Sequence, residues 1–293
     1  LSVALSFHAG LFNIGAEGQL YIGSIAVVAA AAIFPGTPGS MAIPLGILAA
    51  ALAGGVWGGI AGLLKAKRGS HEVIVTILLN FIGISLVDYL ILYAFKNPEG
   101  QNPETFTMPE SFMVSPLSSF FQGIGLEWFQ STPVNTTIFL AIAAAIASYA
   151  LLFFTTFGYE LRAAGQNPIA SRFAGIHVSH MIFSSLFLSG ALAGLVGVNE
   201  VMGHQHRLIE GFSPHYGFTG IAVALLARSH PLGILLSALL FGALHNSARE
   251  LEFLSEKVTK ELSLVLQGTL IAFVAGDYWI ERLFHKRKQL TPS

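Results

Sequence analysis

Asn13, Glu17 and Gln19 lie close together in the stretch FNIGAEGQ (Phe12–Gln19), where Gly15 and Gly18 invite a break in the chain. Two side-chain amides can offer paired donors and acceptors to a polar ligand, and the neighbouring Phe12 could stack on a flat ring. A carboxyl group on an apolar segment could instead carry a coupling proton, or it could clamp two helices together. Asn80, Asp88, Asn199, Glu200 and Gln267 are the other polar side chains inside or at the ends of apolar runs. Asn80 and Glu200 are candidates to face a shared cavity, whereas Asp88, past mid-span, falls nearer an outer interface. Each of these could equally serve a purely structural hydrogen bond. His204, His206 and His215 collect in one polar segment, and histidine is a zinc ligand. An HxH pair in a loop, with no HExxH on a helix, does not make a recognisable metal centre, and no metal is expected. GxxxxGK[ST] and GxSxG are both missing, so neither nucleotide hydrolysis nor acyl transfer has a signature here.

A second constellation is built for contact rather than chemistry. In FGYELRAAGQNPIASRFAGI (Phe157–Ile176), Asn167 can cap a helix N-terminus, and Pro168 suits its first position because the missing N–H had no partner anyway. Gly175 is a natural stop, since glycine enters the left-handed C-terminal cap without a steric cost. A short helix fixed at both ends and held between long apolar runs would be a docking knob; the alternative is a solvated turn.

Elements that could position these residues follow from composition. The chain has 293 residues, 53% of them hydrophobic and 11% charged, with 31 glycines, a formal net charge of −1 and no cysteine; its mean hydropathy is +0.67. Runs of about twenty apolar residues match a ~30 Å hydrocarbon core, so the chain reads as an all-α polytopic membrane protein. The charge implies no nucleic acid or acidic polymer as partner, and disulfides and thiolate chemistry are excluded.

Taken in order, Leu20–Phe34 and Ile43–Leu64 read as spans, followed by Lys65, Lys67 and Arg68, which mark a cytoplasmic end. Val73–Phe95 then opens into Lys96–Pro133, a loop with five prolines and four glutamates but one basic residue, expected outside. Thr136–Thr156 returns inward, Met181–Met202 goes out, and His204–Ala227 reads as a broken element coming back to Arg228–Pro231. Leu232–Leu244 and Leu262–Ile280 complete about eight spans, with broken or re-entrant elements near 8–19 and 203–227. Residues 1–293 form one transmembrane domain, with an outer loop at 96–134 and a cytoplasmic loop at 157–180. An outer interfacial helix is expected at 247–261, where Leu251, Leu254, Val258 and Leu262 recur at helical spacing. Gly54, Gly58 and Gly62, and later Gly190 and Gly194, recur four apart, a spacing that lets helix backbones approach closely.

Four stretches in this order resemble a known family: FNIGAEGQ (Phe12–Gln19), HEVIVTILLN (His71–Asn80), LRAAGQNPIASRFAGI (Leu161–Ile176) and GFTGIAVALLARSHPLGI (Gly217–Ile234), with QGTLI (Gln267–Ile271) as a weaker match. The chain resembles the permease subunits of bacterial ABC importers in the branched-chain amino acid, simple sugar and nucleoside group, nucleoside-type permeases above all. Two departures stand out. Only eleven residues precede FNIGAEGQ, where members carry more apolar sequence, so an incomplete N-terminus is expected. Ala227, Arg228, Ser229 and His230 also replace the usual small or polar residues of that turn.

The resemblance implies that Gln166–Phe173, with Gln166, Asn167, Pro168, Ile169, Arg172 and Phe173 as contact residues, forms a coupling helix that enters a groove on an ATP-binding subunit. It implies that Phe12, Asn13, Glu17 and Gln19 lie by the substrate path, with Asn80 as a neighbour; Glu200 joins that path on its position in an apolar run. The partners it implies are an ABC ATPase subunit, a second related permease and an extracytoplasmic substrate-binding lipoprotein, in the lipid of a bacterial inner membrane. ATP and Mg²⁺ would sit on the ATPase, leaving this chain without cofactor or catalysis. A nucleoside, purine or related flat ring such as riboflavin is the expected cargo, with a simple sugar as the alternative. Rival readings are a secondary transporter using Glu17 or Glu200 as the proton-coupling carboxylate, and an intramembrane enzyme using the histidines with Glu200.

Overall fold

The computed structural model describes residues 1–98, 100–123, 125, 134–254, 265, 268 and 269, with backbone only for 248–254. Its helices are α1 (Ser2–His8), α2 (Ala16–Ile33), α3 (Gly39–Arg68), α4 (Glu72–Tyr93), α5 (Leu117–Gly123), α6 (Thr137–Phe154), α7 (Thr156–Gln166), α8 (Pro168–Phe173), α9 (Val178–Gly194), α10 (Tyr216–Leu226) and α11 (Pro231–Leu254). A π-helical turn, Val198–His204, continues the direction of α9. Among the described residues, five helical segments are long and apolar enough to cross a bilayer: α2, α3, α4, α6 and Val178–His204. The protein is an all-α, polytopic membrane protein.

Glycine sets how closely the central helices pack. A Cβ on Gly54 would lie 2.4 Å from the Gly190 carbonyl oxygen, and one on Gly194 would lie 2.2 Å from that of Ala50. The backbones of α3 and α9 therefore touch, as the small-residue spacing predicts. In a bilayer, such contact replaces the hydrophobic drive that holds soluble helices together. Gly23 of α2 meets Gly194 in the same way, which makes α2, α3 and α9 the packed centre of the molecule.

The two ends differ. At one, Lys65 Nζ pairs with Glu72 Oε2 at 2.6 Å across the α3–α4 turn, which Gly69 closes at φ 66°. α7, α8 and the α10–α11 turn lie at this basic end, where His8 Nε2 meets the Ser229 carbonyl oxygen at 3.1 Å. At the other, the loop after α4 folds back over the segment after the π-turn. Backbone bonds run from Thr105 N to Leu208 O (2.9 Å), Met108 N to His206 O (2.7 Å) and Val114 N to Met202 O (2.8 Å). Arg207 Nη1 donates to Glu104 Oε1 at 2.9 Å, and Met108 and Phe112 are buried beneath the cap.

Three boundaries differ from expectation. The break near 8–19 is confined to Ala9–Gly15, so Glu17 and Gln19 occupy the first turn of α2 rather than an unwound segment. The bend comes at Gly10 (φ 67°), where a Cβ would lie 2.7 Å from the Gly165 carbonyl oxygen. Gln166 is the last residue of α7 rather than the first of the knob helix, because Asn167 leaves helical geometry to cap α8. α11 runs on without interruption to Leu254, through the point where a separate helix was expected at 247, since no glycine or proline interrupts it there. The rest of 247–261, Gln267 and Leu262–Ile280 with its basic tail fall largely or wholly outside the described residues.

Candidate functional site: a capped knob, a polar knot and a cavity

The knob is α8. Asn167 Oδ1 accepts from Ile169 N (3.1 Å) and Ala170 N (3.0 Å), satisfying two of the orphan donors at the helix start. At the other end, Gly175 N donates to Arg172 O (3.1 Å) and Ile176 N to Ser171 O (2.9 Å), with Gly175 at φ 84°. This pair of bonds is the Schellman closure that the glycine predicts. Only Ser171 faces inward; Gln166, Asn167, Pro168 and Arg172 are exposed, and so are Ile169 at 69% and Phe173 at 91%. Two large apolar side chains thus stand out from the basic end on a helix closed at both ends.

The knot joins the Ala9–Gly15 break to its neighbours. Asn13 and Gln19 exchange amide hydrogen bonds, Asn13 Nδ2 to Gln19 Oε1 at 2.9 Å and Gln19 Nε2 to Asn13 Oδ1 at 3.2 Å. Asn13 Nδ2 also donates to Ser189 Oγ (2.7 Å) on α9, and its Oδ1 accepts from Gly15 N (2.9 Å). All four hydrogen-bonding positions of the Asn13 amide are thereby filled inside the protein. From α4, Asn80 Nδ2 donates to the Ile14 carbonyl (2.8 Å), and its Oδ1 accepts from Gly18 N (2.7 Å). Glu17 Oε2 accepts from Gly217 N at 2.6 Å, which ties the start of α2 to the start of α10. Phe12 packs against Phe7, with ring centroids 5.1 Å apart.

A cavity of about 620 Å³ opens beside this knot, walled by α1, α2, α6, α9, α10 and α11. Its surface is mostly aliphatic, with Leu20, Leu140 and Leu192 beside the small residues Ala141 and Ala144 from α6, Ala193 from α9, and Gly217 and Gly220 from α10. Its polar groups are Ser2, Asn135, Thr137, Asn199, His204 and Tyr216. Neither Phe12, Asn13, Glu17, Gln19 and Asn80 nor Glu200 belongs to this lining; the first five form the frame beside it. Glu200 stands behind it, its Oε1 accepting from Asn199 Nδ2 at 3.0 Å. The residues that do line it were legible only in part. Asn199 stands out as an amide within an apolar run, but Asn135 and Thr137 look like an ordinary span entry, and Tyr216 like one aromatic among many. Of the three histidines only His204 reaches the cavity; His206 Nδ1 lies 3.1 Å from the Met202 carbonyl oxygen, and His215 precedes α10 at φ 64°.

Comparison with known proteins agrees with this architecture. The family model described as branched-chain amino acid transport system / permease component matches residues 1–275. The chain is 37% identical to the guanosine ABC transporter permease protein NupP of Bacillus subtilis over 290 residues, covering 99% of this chain and 80% of that protein. It is 34% identical to the nucleoside ABC transporter permease protein NupB of Lactococcus lactis, covering 100% and 79%. It is also 34% identical to the glucose ABC transporter permease protein TsgB13 of Haloferax volcanii, covering 96% and 73%. No solved structure matches the chain. With the match spanning nearly the whole sequence and the described helices forming a polytopic bundle, the chain belongs to the permease component family of branched-chain amino acid-type ABC transport systems.

Proposed function

We propose that this permease imports a nucleoside across a bacterial inner membrane, driven by ATP that is bound with Mg²⁺ and hydrolysed on a separate ATPase subunit. The observation that carries the reading is α8, with Phe173 and Ile169 exposed on a helix capped at both ends. A helix that must pass on a displacement has to be stiffer than its surroundings, and the two caps provide that. Gln166, Asn167, Pro168, Ile169, Arg172 and Phe173 form the contact face for the ATPase groove.

Motion has a contiguous route inward from this face. α8 follows α7 directly, Gly165 of α7 lies against Gly10, and Arg162 of α7 sits over the Phe153 ring at 4.9 Å. His8 ties α1 to the turn after α10, and Glu17 ties α2 to its start. α1 and α10 both wall the cavity, so moving α7 changes the shape of the space in which the cargo rests. Asn13, Gln19, Glu17 and Asn80 serve as the fixed frame of that path, and Phe12 anchors it against Phe7. The mostly aliphatic walls suit a flat ring better than a sugar, which would need more polar contacts; the likeness to the glucose permease keeps a sugar as the alternative cargo. The folded cap of residues 100–123 faces the side on which a substrate-binding lipoprotein docks, and a second, related permease packs alongside.

The knob is tested with Arg172→Glu combined with Phe173→Ala. The expected result is loss of co-purification with the ATPase and loss of stimulated ATP hydrolysis, while membrane insertion is normal. Unchanged coupling would remove the role assigned to α8.

A further inference from the structure

The loop end of the cavity carries a hydrogen-bonding cluster that the frame does not use. Asn199 Oδ1, on the π-helical turn, accepts from Asn135 Nδ2 (3.1 Å) and from Thr137 Oγ1 (2.7 Å). Asn135 Oδ1 accepts from Thr137 N (3.0 Å) and also from Thr137 Oγ1. Both amides are fixed in orientation. A backbone N–H can only donate, which sets Asn135, and the Glu200 carboxyl takes the N–H of Asn199. Two carbonyl oxygens therefore converge on a hydroxyl that has one proton to give. One carbonyl lone pair and the lone pairs of the Thr137 hydroxyl are left over, beside one remaining N–H on each amide, and all three residues line the cavity.

Geometry below the cluster restricts what can reach it. Thr137, Ala141 and Ala144 lie on one face of α6, so small side chains continue the wall for two turns beneath the hydroxyl. Ala193 and Gly217 face the same space from α9 and α10. A flat molecule laid along this strip of small side chains would bring its polar edge to the Asn135–Thr137–Asn199 end. The π-turn itself supports the reading, since such irregular turns in helices are frequent at functional sites.

We infer that Asn135, Thr137 and Asn199 are the specificity-determining residues of the cavity and read the N–H-donating edge of a flat heterocycle. Glu200 acts as a positioning residue, holding the Asn199 carbonyl toward the cluster. A base with adjacent N–H donors supplies protons to the oxygens left over, whereas one presenting only ring nitrogens leaves those oxygens unmet. Rejection of this kind is far stronger than a hydrophobic slot alone can achieve, because buried polar groups are left unpaired.

This inference rests on the nucleoside reading above, and the test separates the two. The full complex, with its ATPase, second permease and binding protein, is reconstituted in proteoliposomes. Uptake of guanosine, whose base carries N1–H and a 2-amino group, is compared with that of purine riboside, which has the same rings and ribose but no N–H on the base. The wild type is expected to favour guanosine. Asn199→Leu removes the acceptor at similar size and should lower the guanosine preference over purine riboside by about tenfold or more. Thr137→Val keeps the shape and the backbone N–H but takes away the hydroxyl proton and so frees both carbonyls; it should raise the preference and gives a second readout if Asn199→Leu does not assemble. Thr137→Ser, which keeps the hydroxyl, should preserve the preference. An unchanged ratio in Thr137→Val and in any assembled Asn199→Leu complex overturns the inference, as does an equal fall for both ligands. A wild-type complex that moves neither compound defeats the nucleoside reading, and the inference falls with it.

Discussion

Glu17 Oε2 accepts a hydrogen bond from Gly217 N at 2.6 Å, joining two helix starts that are 200 residues apart in sequence. α10 has no side-chain cap of its own from His215, so a carboxyl group from α2 supplies one from outside. Gly217 is required there, because a Cβ would lie 2.4 Å from the Glu17 backbone nitrogen. An acceptor at this helix end satisfies a donor that would otherwise be buried without water.

The type of acceptor can be separated from the charge. Glu17→Gln keeps an oxygen at the same reach and should retain assembly and uptake. Glu17→Ala leaves the Gly217 N–H unmet, at a cost of about 1–3 kcal/mol. Thermal unfolding of the detergent-solubilised complex should show the loss in Glu17→Ala alone. Loss of uptake in Glu17→Gln with assembly intact would favour a proton-coupling role over the capping role.

Backbone contact between α3 and α9 sets a second expectation. Gly54→Val would drive a side chain into the Gly190 carbonyl, 2.4 Å from where the Cβ must go, and should abolish stable assembly. Gly242→Ala, where nothing lies within 4 Å of the new methyl group, should leave assembly unchanged. Size-exclusion profiles after solubilisation distinguish the two, and a stable Gly54→Val protein would show that the helices can separate.

For the knob, Asn167→Ala removes the acceptor for two backbone donors and should weaken α8 by about 1 kcal/mol. ATPase stimulation is expected to fall partially, less than on loss of the Phe173 ring. Asn167→Asp retains the cap and should retain coupling. Stimulation equal to wild type in Asn167→Ala would mean that the groove, not the cap, gives the helix its stiffness.

Local signals were legible in the sequence where one residue determines one geometry. Asn167, Pro168 and Gly175 foretold α8, and the glycine spacing foretold close backbone packing, though not that α3 and α9 are the partners, because caps and close approaches depend on residue type and spacing. The polar residues of FNIGAEGQ were legible as buried, but not in their partners. Asn13 turns inward to Gln19 and Ser189, and Asn80 inward to Ile14 and Gly18, because in a bilayer an amide is best satisfied by another protein group. The cavity was the least legible feature. Its polar end needs Asn135, Thr137 and Asn199 from separate segments, and no spacing in the sequence reveals that α6 and the π-turn meet.

The central claim is that motion of α8, driven by a partner's ATP, moves cargo through the cavity. The most direct measurement is guanosine accumulation by the reconstituted complex with ATP inside proteoliposomes, compared with a proton gradient imposed without ATP. The account predicts accumulation with ATP only, abolished by Arg172→Glu with Phe173→Ala. Accumulation driven by the proton gradient alone, or ATP-driven accumulation undiminished in that double variant, would contradict it.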